Sequence, residues 1–95
     1  MRAMFTTLAR TVRHVPEKHQ FTCEADKTLL GVLEYRIEDN SIDMYRTFVL
    51  PEGRGGGVAK ALCDEAFRFA KEKQLNVIPT CSYISETYMK KYVTN

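Results

Sequence analysis

The sequence predicts a small α+β fold (α/β mixed) with a mixed sheet, one main helix and a short C-terminal helix. Two neighbouring segments alternate apolar and polar residues with a period of two, as half-buried strands do. A later segment repeats apolar residues at three- and four-residue steps, as amphipathic helices do. The chain has 95 residues, of which 44% are hydrophobic, so we expect one domain near the lower size limit for an adequate core.

The first half of the chain predicts three strands. A short strand is expected over residues 20–25, followed by a turn at Asp26 and Lys27. A longer strand from Leu29 to Glu38 places five residues on one face: Leu29, Gly31, Leu33, Tyr35 and Ile37. Turn-forming residues 39–41 separate it from a partner strand that places Ile42, Met44, Phe48 and Leu50 on one side. The short turn predicts that these two strands pair as an antiparallel hairpin.

The second half predicts a strand, helix, strand crossover. The helix begins near Gly57 and has an apolar stripe of Ala59, Leu62, Cys63, Ala66, Phe67 and Ala70. Residues 75–81 predict a short buried strand, which a right-handed crossover makes parallel to the strand before the helix. Pro79 cannot donate a ladder hydrogen bond, so we expect the two parallel strands to separate there and leave unpaired backbone groups. Residues 82–92 predict the short second helix.

The N-terminal residues 1–14 are predicted to be a flexible lead-in to a single domain over residues 15–95. The segment before Pro16 contains Arg2, Arg10 and Arg13 and no acidic residue, a composition compatible with a mitochondrial presequence. A short, partly disordered lead-in is the alternative. The predicted location is therefore cytoplasmic, with mitochondria as the second possibility.

Composition excludes several classes of protein. A formal net charge of +2, spread along the chain, does not match a nucleic-acid binder. No apolar run approaches the ~20 residues of a membrane-spanning helix. The three cysteines, an odd number at wide spacing, indicate neither a disulfide framework nor a metal site of the CxxC type. We therefore expect no nucleic-acid or membrane partner and no metal.

The glycine-rich stretch at residues 53–57 lies where the predicted strand gives way to the main helix. The first turn of a helix leaves backbone N–H groups without internal partners, at the positive end of the helix dipole. Gly55, Gly56 and Gly57 have no Cβ to keep an anion away from the backbone. This loop therefore predicts a binding site for a phosphate-bearing cofactor.

The segment Arg54-Gly55-Gly56-Gly57-Val58-Ala59 fits the pattern Q/R-x-x-G-x-G/A, which is similar to the pyrophosphate-binding motif of the GNAT superfamily of acetyl-CoA-dependent N-acetyltransferases. With the strand before it, the helix after it and the later Pro-Thr-Cys-Ser-Tyr, the chain resembles small single-domain members of that superfamily over residues 15–92. The resemblance implies a GNAT-like fold, acetyl-CoA or CoA as cofactor, and an amine acceptor, either a small molecule or a protein lysine. A monomer or a homodimer fits a domain of this size.

The resemblance also implies roles for particular residues. The pyrophosphate would contact Arg54, Gly55, Gly56, Gly57, Val58 and Ala59, with Arg54 or Lys60 adding charge. The pantetheine arm would lie along the backbone of Thr47, Phe48 and Val49. Cys81 occupies the position of the active thiol, and Tyr83 is a second catalytic candidate.

The role of Cys81 stays open between two catalytic mechanisms and a packing role as a small buried residue. It either accepts the acetyl group as a nucleophile, or it or Tyr83 protonates the departing thiolate while the amine attacks directly. No histidine adjoins Cys81 in sequence, although a helix that starts at Ser82 can lower a thiol pKa through its N-terminus. Related proteins often have histidine before the threonine of the pantetheine strand, where this chain has Arg46. A non-catalytic acyl-CoA-binding or protein-interaction module is therefore the alternative function.

Overall fold

A five-stranded mixed sheet forms the body of the protein. The computed structural model describes residues 9–93. The strands are β1 (Arg10–Val15), β2 (Gln20–Ala25), β3 (Thr28–Glu38), β4 (Ser41–Val49) and β5 (Asn76–Ile78). They lie side by side in chain order, antiparallel from β1 to β4, and β5 is parallel to β4. The predicted mixed α+β architecture is confirmed.

Two tight turns set the register of the central strands. Asp26 and Lys27 between β2 and β3 both have positive φ, at 51° and 66°, and Asp39 before β4 has φ 55°. Two-residue loops with positive φ match the twist of antiparallel strands, and aspartate tolerates that conformation better than most residues. Glu38 pairs with Ser41 across the second turn, so the predicted β3–β4 hairpin is confirmed.

The helical layer follows the sheet. Helix α1 (Val58–Glu72) crosses β2, β3 and β4, and buries Val58, Leu62, Cys63, Ala66 and Ala70. After β5, helical residues begin at 82, pass through a π-helical turn (Ile84–Tyr88) and end in α2 (Met89–Tyr92). Ile84 and Tyr88 join the same core as α1 and the inner face of the sheet. No helix in residues 9–93 is both long and apolar enough to span a membrane.

Gly31 lets α1 approach the sheet closely. A Cβ at this position would lie 2.7 Å from Cγ1 of Val58 and 3.2 Å from Cδ1 of Leu62. Only a residue without a side chain fits at this distance. The start of α1 is therefore fixed against the middle of β3, next to the glycine loop.

The N-terminal prediction is wrong over residues 10–14. These residues form most of β1, which pairs with β2 from Arg10↔Ala25 to Val15↔Gln20. The periodicity of the segment is weak because β1 is an edge strand with several exposed positions. Residues 1–8 lie outside the described residues, and the targeting hypothesis stays a prediction.

Two irregularities change the predicted faces of the hairpin. Glu34 pairs with Arg46 and Tyr35 pairs with Met44, so Tyr45 is an extra residue in β4. An extra residue reverses the side-chain alternation beyond it. Phe48 is consequently 42% exposed rather than on the buried face with Ile42 and Met44, and Leu50 lies beyond the end of the strand. A second bulge beside Gly31 leaves Leu29 exposed, and Ile37 near the end of β3 is also exposed.

The last predicted strand is shorter and less buried than expected. β5 spans three residues at the edge of the sheet, and Ile78 is 46% exposed. The ladder with β4 ends at Asp43↔Ile78, directly before Pro79. Proline at the end of an edge strand removes no ladder bond that is needed. One further bond, from Cys81 N–H to the carbonyl of Met44 at 2.9 Å, joins the chains where they separate.

Candidate active site

The glycine loop gives way to α1 at Gly57, which adopts the left-handed conformation with φ 75° at the N-cap of the helix. Gly55 also has positive φ, at 81°. Within residues 9–93, the hydrogen-bonded backbone pairs around the loop leave the N–H groups of residues 57–60 without a protein acceptor. These amides belong to the positive end of a fifteen-residue helix, where an anion is stabilised.

A groove of about 310 Å³ lies beside these amides. It is lined by Val49, Gly53, Arg54, Gly55, Gly57, Val58, Ala59, Lys60, Tyr83 and Tyr92. We call it the candidate groove. Its lining includes most of the residues that were assigned to cofactor binding, all between Val49 and Lys60. It also includes Tyr83, one of the two catalytic candidates, which lies more than twenty positions further along the chain.

A larger groove of about 700 Å³ lies on the other side of the same loop, where Arg10, Ala25 and Leu30 contribute to its lining. Tyr83 lines the candidate groove but not this larger one, and Thr47 and Cys81 line neither. Size alone therefore does not identify the reaction site, and the chemistry favours the smaller candidate groove.

Cys81 lies where β4 and β5 separate, two residues before Tyr83 of the candidate groove. Its Sγ is 3.5 Å from Oγ1 of Thr47, a residue that the β4 bulge turns toward the helical layer. The Cys81 thiol donates to this hydroxyl, which can turn to donate to the thiolate. Burial raises the pKa of the Cys81 thiol, but the hydrogen bonds that the thiolate accepts from the Thr47 hydroxyl and from the backbone N–H groups of Ile84, Tyr83 and Thr47 outweigh it. The pKa is consequently below its usual value.

The other two cysteines have the opposite character. Cys63 is fully buried on α1, and burial, with smaller contributions from Cys81 and Asp64, raises its pKa to about 12. Burial also raises the pKa of Cys23. A nucleophilic thiol must be ionised, so Cys81 is the one of the three with an environment suited to chemistry.

Tyr83 borders the candidate groove with its pKa raised, first by burial and then by the nearby Cys63, Tyr92, Asp64 and Cys81. A phenol in this environment keeps its proton near neutral pH. Tyr83 can therefore donate a hydrogen bond or a proton into the groove, but it is not suited to act as a base.

Lys60 borders the groove but is already paired. Its Nζ is 2.8 Å from Oδ2 of Asp64 and 4.7 Å from the ring centre of Tyr92. Oη of Tyr88 donates to Oδ1 of Asp64 at 2.6 Å. This contact joins α1 to the C-terminal helical segment. Asp64 and Tyr88 were not identified from the sequence as part of the site; the i, i+4 spacing of Lys60 and Asp64 was the available signal.

Most of the predicted site residues come together, but Phe48 does not present its side chain to the groove. Its ring lies on the opposite face of the sheet, 5.1 Å from the guanidinium carbon of Arg46. Arg54 borders both grooves, and its Nε donates to the carbonyl of Val49 at 3.4 Å. The predicted contacts of residues 47–49 are made by the backbone, so the orientation of the Phe48 ring does not contradict them.

A comparison with protein families gives one match over most of the chain. The family model described as GCN5-related N-acetyl-transferase matches residues 20–94. The matched segment begins with β2 and contains the glycine loop, α1, β5 and Cys81.

Proposed function

The chain belongs to the GCN5-related N-acetyltransferase family, and we propose that it transfers an acetyl group from acetyl-CoA to a primary amine. The observation that carries this proposal is the position of Cys81. Its thiol has a lowered pKa and lies where β4 and β5 separate. Cys81 is two positions before Tyr83, which lines the candidate groove beside the free amides of the glycine loop.

Different residues of the groove would bind different parts of the cofactor. The N–H groups of Gly57 to Lys60 would donate hydrogen bonds to the diphosphate, since they have no acceptor within residues 9–93. Arg54 would add positive charge at the same end. The backbone of Thr47, Phe48 and Val49 would pair with the amides of the pantetheine arm. This arrangement would direct the acetyl thioester toward Cys81 and Tyr83.

The lowered pKa of Cys81 supports the covalent mechanism. Its thiolate would attack the acetyl carbonyl carbon, form a new C–S bond and release CoA as a thiolate, which takes up a proton. The amine would then attack the acetylated Cys81, lose a proton and regenerate the thiolate. In direct transfer, Cys81 or Tyr83 would supply the proton to the departing CoA thiolate.

One observation favours a non-catalytic acyl-CoA-binding module as a second candidate. Neither histidine of the chain lies beside Cys81. His14 Nε2 is 2.6 Å from Oη of Tyr35, and the ring of His19 lies 5.8 Å from the ring of Tyr35. Both histidines of residues 9–93 therefore lie against Tyr35, and neither is recorded in contact with Cys81 or Tyr83. Binding of CoA without turnover across a panel of amines would favour this candidate.

Calorimetric titration with acetyl-CoA and with CoA tests the proposal first. We expect micromolar binding, about −8 kcal/mol. Gly57→Val should abolish it, because the new side chain would project beside the amides. Gly57→Asn serves as the second variant, since asparagine tolerates positive φ and still fills the same space. Retained affinity in both variants would remove the loop from the site.

The role of Cys81 requires a separate experiment. Wild type incubated with acetyl-CoA without an amine should gain one acetyl group by intact-mass measurement if transfer is covalent. Cys81→Ser should lose transfer while keeping CoA binding, and Cys63→Ala serves as the matched control. Unchanged transfer by Cys81→Ser would show that Cys81 only packs.

A further inference from the structure

Arg10 connects the first strand to the glycine loop. Its Nη1 donates a hydrogen bond to the carbonyl oxygen of Gly56. The same nitrogen is the atom nearest to the Cβ position of Gly56, at 3.5 Å. Arg10 lies in β1, before the segment that the family model matches, whereas Gly56 lies within that segment.

The direction of this hydrogen bond determines the direction of a neighbouring amide. In a trans peptide the C=O and the following N–H point to opposite sides of the chain, and residues 9–93 contain no cis peptide bond. Arg10 and Gly56 both line the larger groove, whereas Gly57 lines the candidate groove. Holding the Gly56 carbonyl toward β1 therefore turns the Gly57 N–H toward the candidate groove.

This orientation needs a contact from outside the loop, because the loop residues themselves make few contacts that would hold them. Gly55, Gly56 and Gly57 are exposed, and a Cβ on Gly55 or Gly57 would have no neighbour within 4 Å. Glycine loses more conformational freedom on ordering than any other residue. A hydrogen bond from a guanidinium, which is stronger than one between neutral groups, selects one orientation of the Gly56–Gly57 peptide.

We propose that Arg10 is a positioning residue for diphosphate recognition: it holds the Gly56 carbonyl so that the Gly57 amide is directed into the candidate groove before the ligand arrives. The ligand class is a diphosphate ester, which accepts hydrogen bonds from preset amides. This inference rests on the proposed function for its ligand, but its structural part concerns the free protein.

The experiment compares Arg10→Ala and Arg10→Lys with Arg13→Ala as the matched control. Arg13 lies in the same strand and is exposed, and its side chain enters no hydrogen bond or ion pair within residues 9–93. Arg10→Ala and Arg13→Ala remove the same charge from β1, so a difference between them reports the contact with Gly56. The ¹H–¹⁵N resonance of Gly57 is recorded in each free protein, and CoA and inorganic pyrophosphate are then titrated.

We expect Arg10→Ala to move the Gly57 resonance in the free protein and to weaken CoA binding about tenfold, the loss for one hydrogen bond to a charged group. Arg10→Lys should recover most of the affinity, and Arg13→Ala should stay within about twofold of wild type.

Two results would overturn the inference. One is an unmoved Gly57 resonance in Arg10→Ala. The other is an equal loss of affinity in Arg10→Ala and Arg13→Ala, which would assign the effect to charge alone. If wild type binds neither CoA nor pyrophosphate while Arg10→Ala still moves the Gly57 resonance, the proposed function fails and the positioning of Gly57 stands.

Discussion

Replacing Thr47 by valine should make Cys81 less reactive without changing its surroundings. Valine keeps the shape of threonine and removes the hydroxyl that lies 3.5 Å from Sγ of Cys81. That hydroxyl is the first of the groups that lower the pKa of this thiol against the effect of burial. A hydrogen bond contributes about 1 kcal/mol. Its loss therefore reduces the fraction of Cys81 present as thiolate about fivefold at pH values below the pKa of the thiol. Because a more basic thiolate is also a better nucleophile, the alkylation rate should fall about twofold.

The assay is alkylation of the folded protein by iodoacetamide between pH 5 and 9, followed by intact-mass and peptide analysis. A thiol becomes reactive toward iodoacetamide as the pH of the solution rises through the pKa of the thiol. Wild-type Cys81 should therefore react at lower pH than a free cysteine, and Cys81 in Thr47→Val should react at higher pH than in wild type. Cys63 is the internal control. With a pKa of about 12, about one Cys63 thiol in ten thousand is ionised at pH 8.

Thr80→Val is the matched variant. The Thr80 hydroxyl donates to Oδ1 of Asp43 at 2.5 Å rather than to the thiol, so its loss should leave the Cys81 profile in place. The reasoning would be refuted if both valine variants gave the wild-type profile. It would also be refuted if Cys63 were alkylated as fast as Cys81.

Three further predictions concern stability. Gly31→Ala should lower the free energy of unfolding by about 1–3 kcal/mol by overpacking, because the new Cβ would lie 2.7 Å from Val58; an unchanged urea midpoint would contradict the close approach of α1. Tyr88→Phe removes the bond to Asp64 and should cost about 1 kcal/mol, a fall of about 4–8 °C in melting temperature, whereas a fall below 1 °C would mean that water replaces the bond fully. His14 has its pKa lowered by burial, so the unfolded chain takes up a proton more readily. The contribution of His14 to stability should be constant above about pH 7 and decrease as pH falls below about 6.5, and His14→Phe should weaken that decrease in acid unfolding curves.

The elements with local signals were predictable from the sequence. The β3–β4 hairpin has short-range alternation and a turn at Asp39, and α1 has a long apolar stripe. The same was true of the glycine loop, since a helix N-terminus after a run of glycines has free amides in any fold. β1 was missed because an edge strand with exposed positions has no periodicity of its own.

The details of the site depended on tertiary contacts. The extra residue Tyr45 turns Thr47 toward Cys81 and Phe48 away, and bulges of this kind have no fixed sequence signature. The sequence placed Cys81 before a helix, but the lowered pKa results from groups contributed by both β4 and the helical segment. Their combined effect on the thiol cannot be derived from spacing along one segment.

The sequence by itself determined the mixed α+β class, the strand–loop–helix order and the residue types of the candidate site, because these depend on interactions between neighbours along the chain. Only the tertiary structure brought Thr47 to Cys81 and Arg10 to Gly56. These contacts join residues 34 and 46 positions apart. They depend on strand order, register and a bulge, which are set by the packing of the whole sheet against α1.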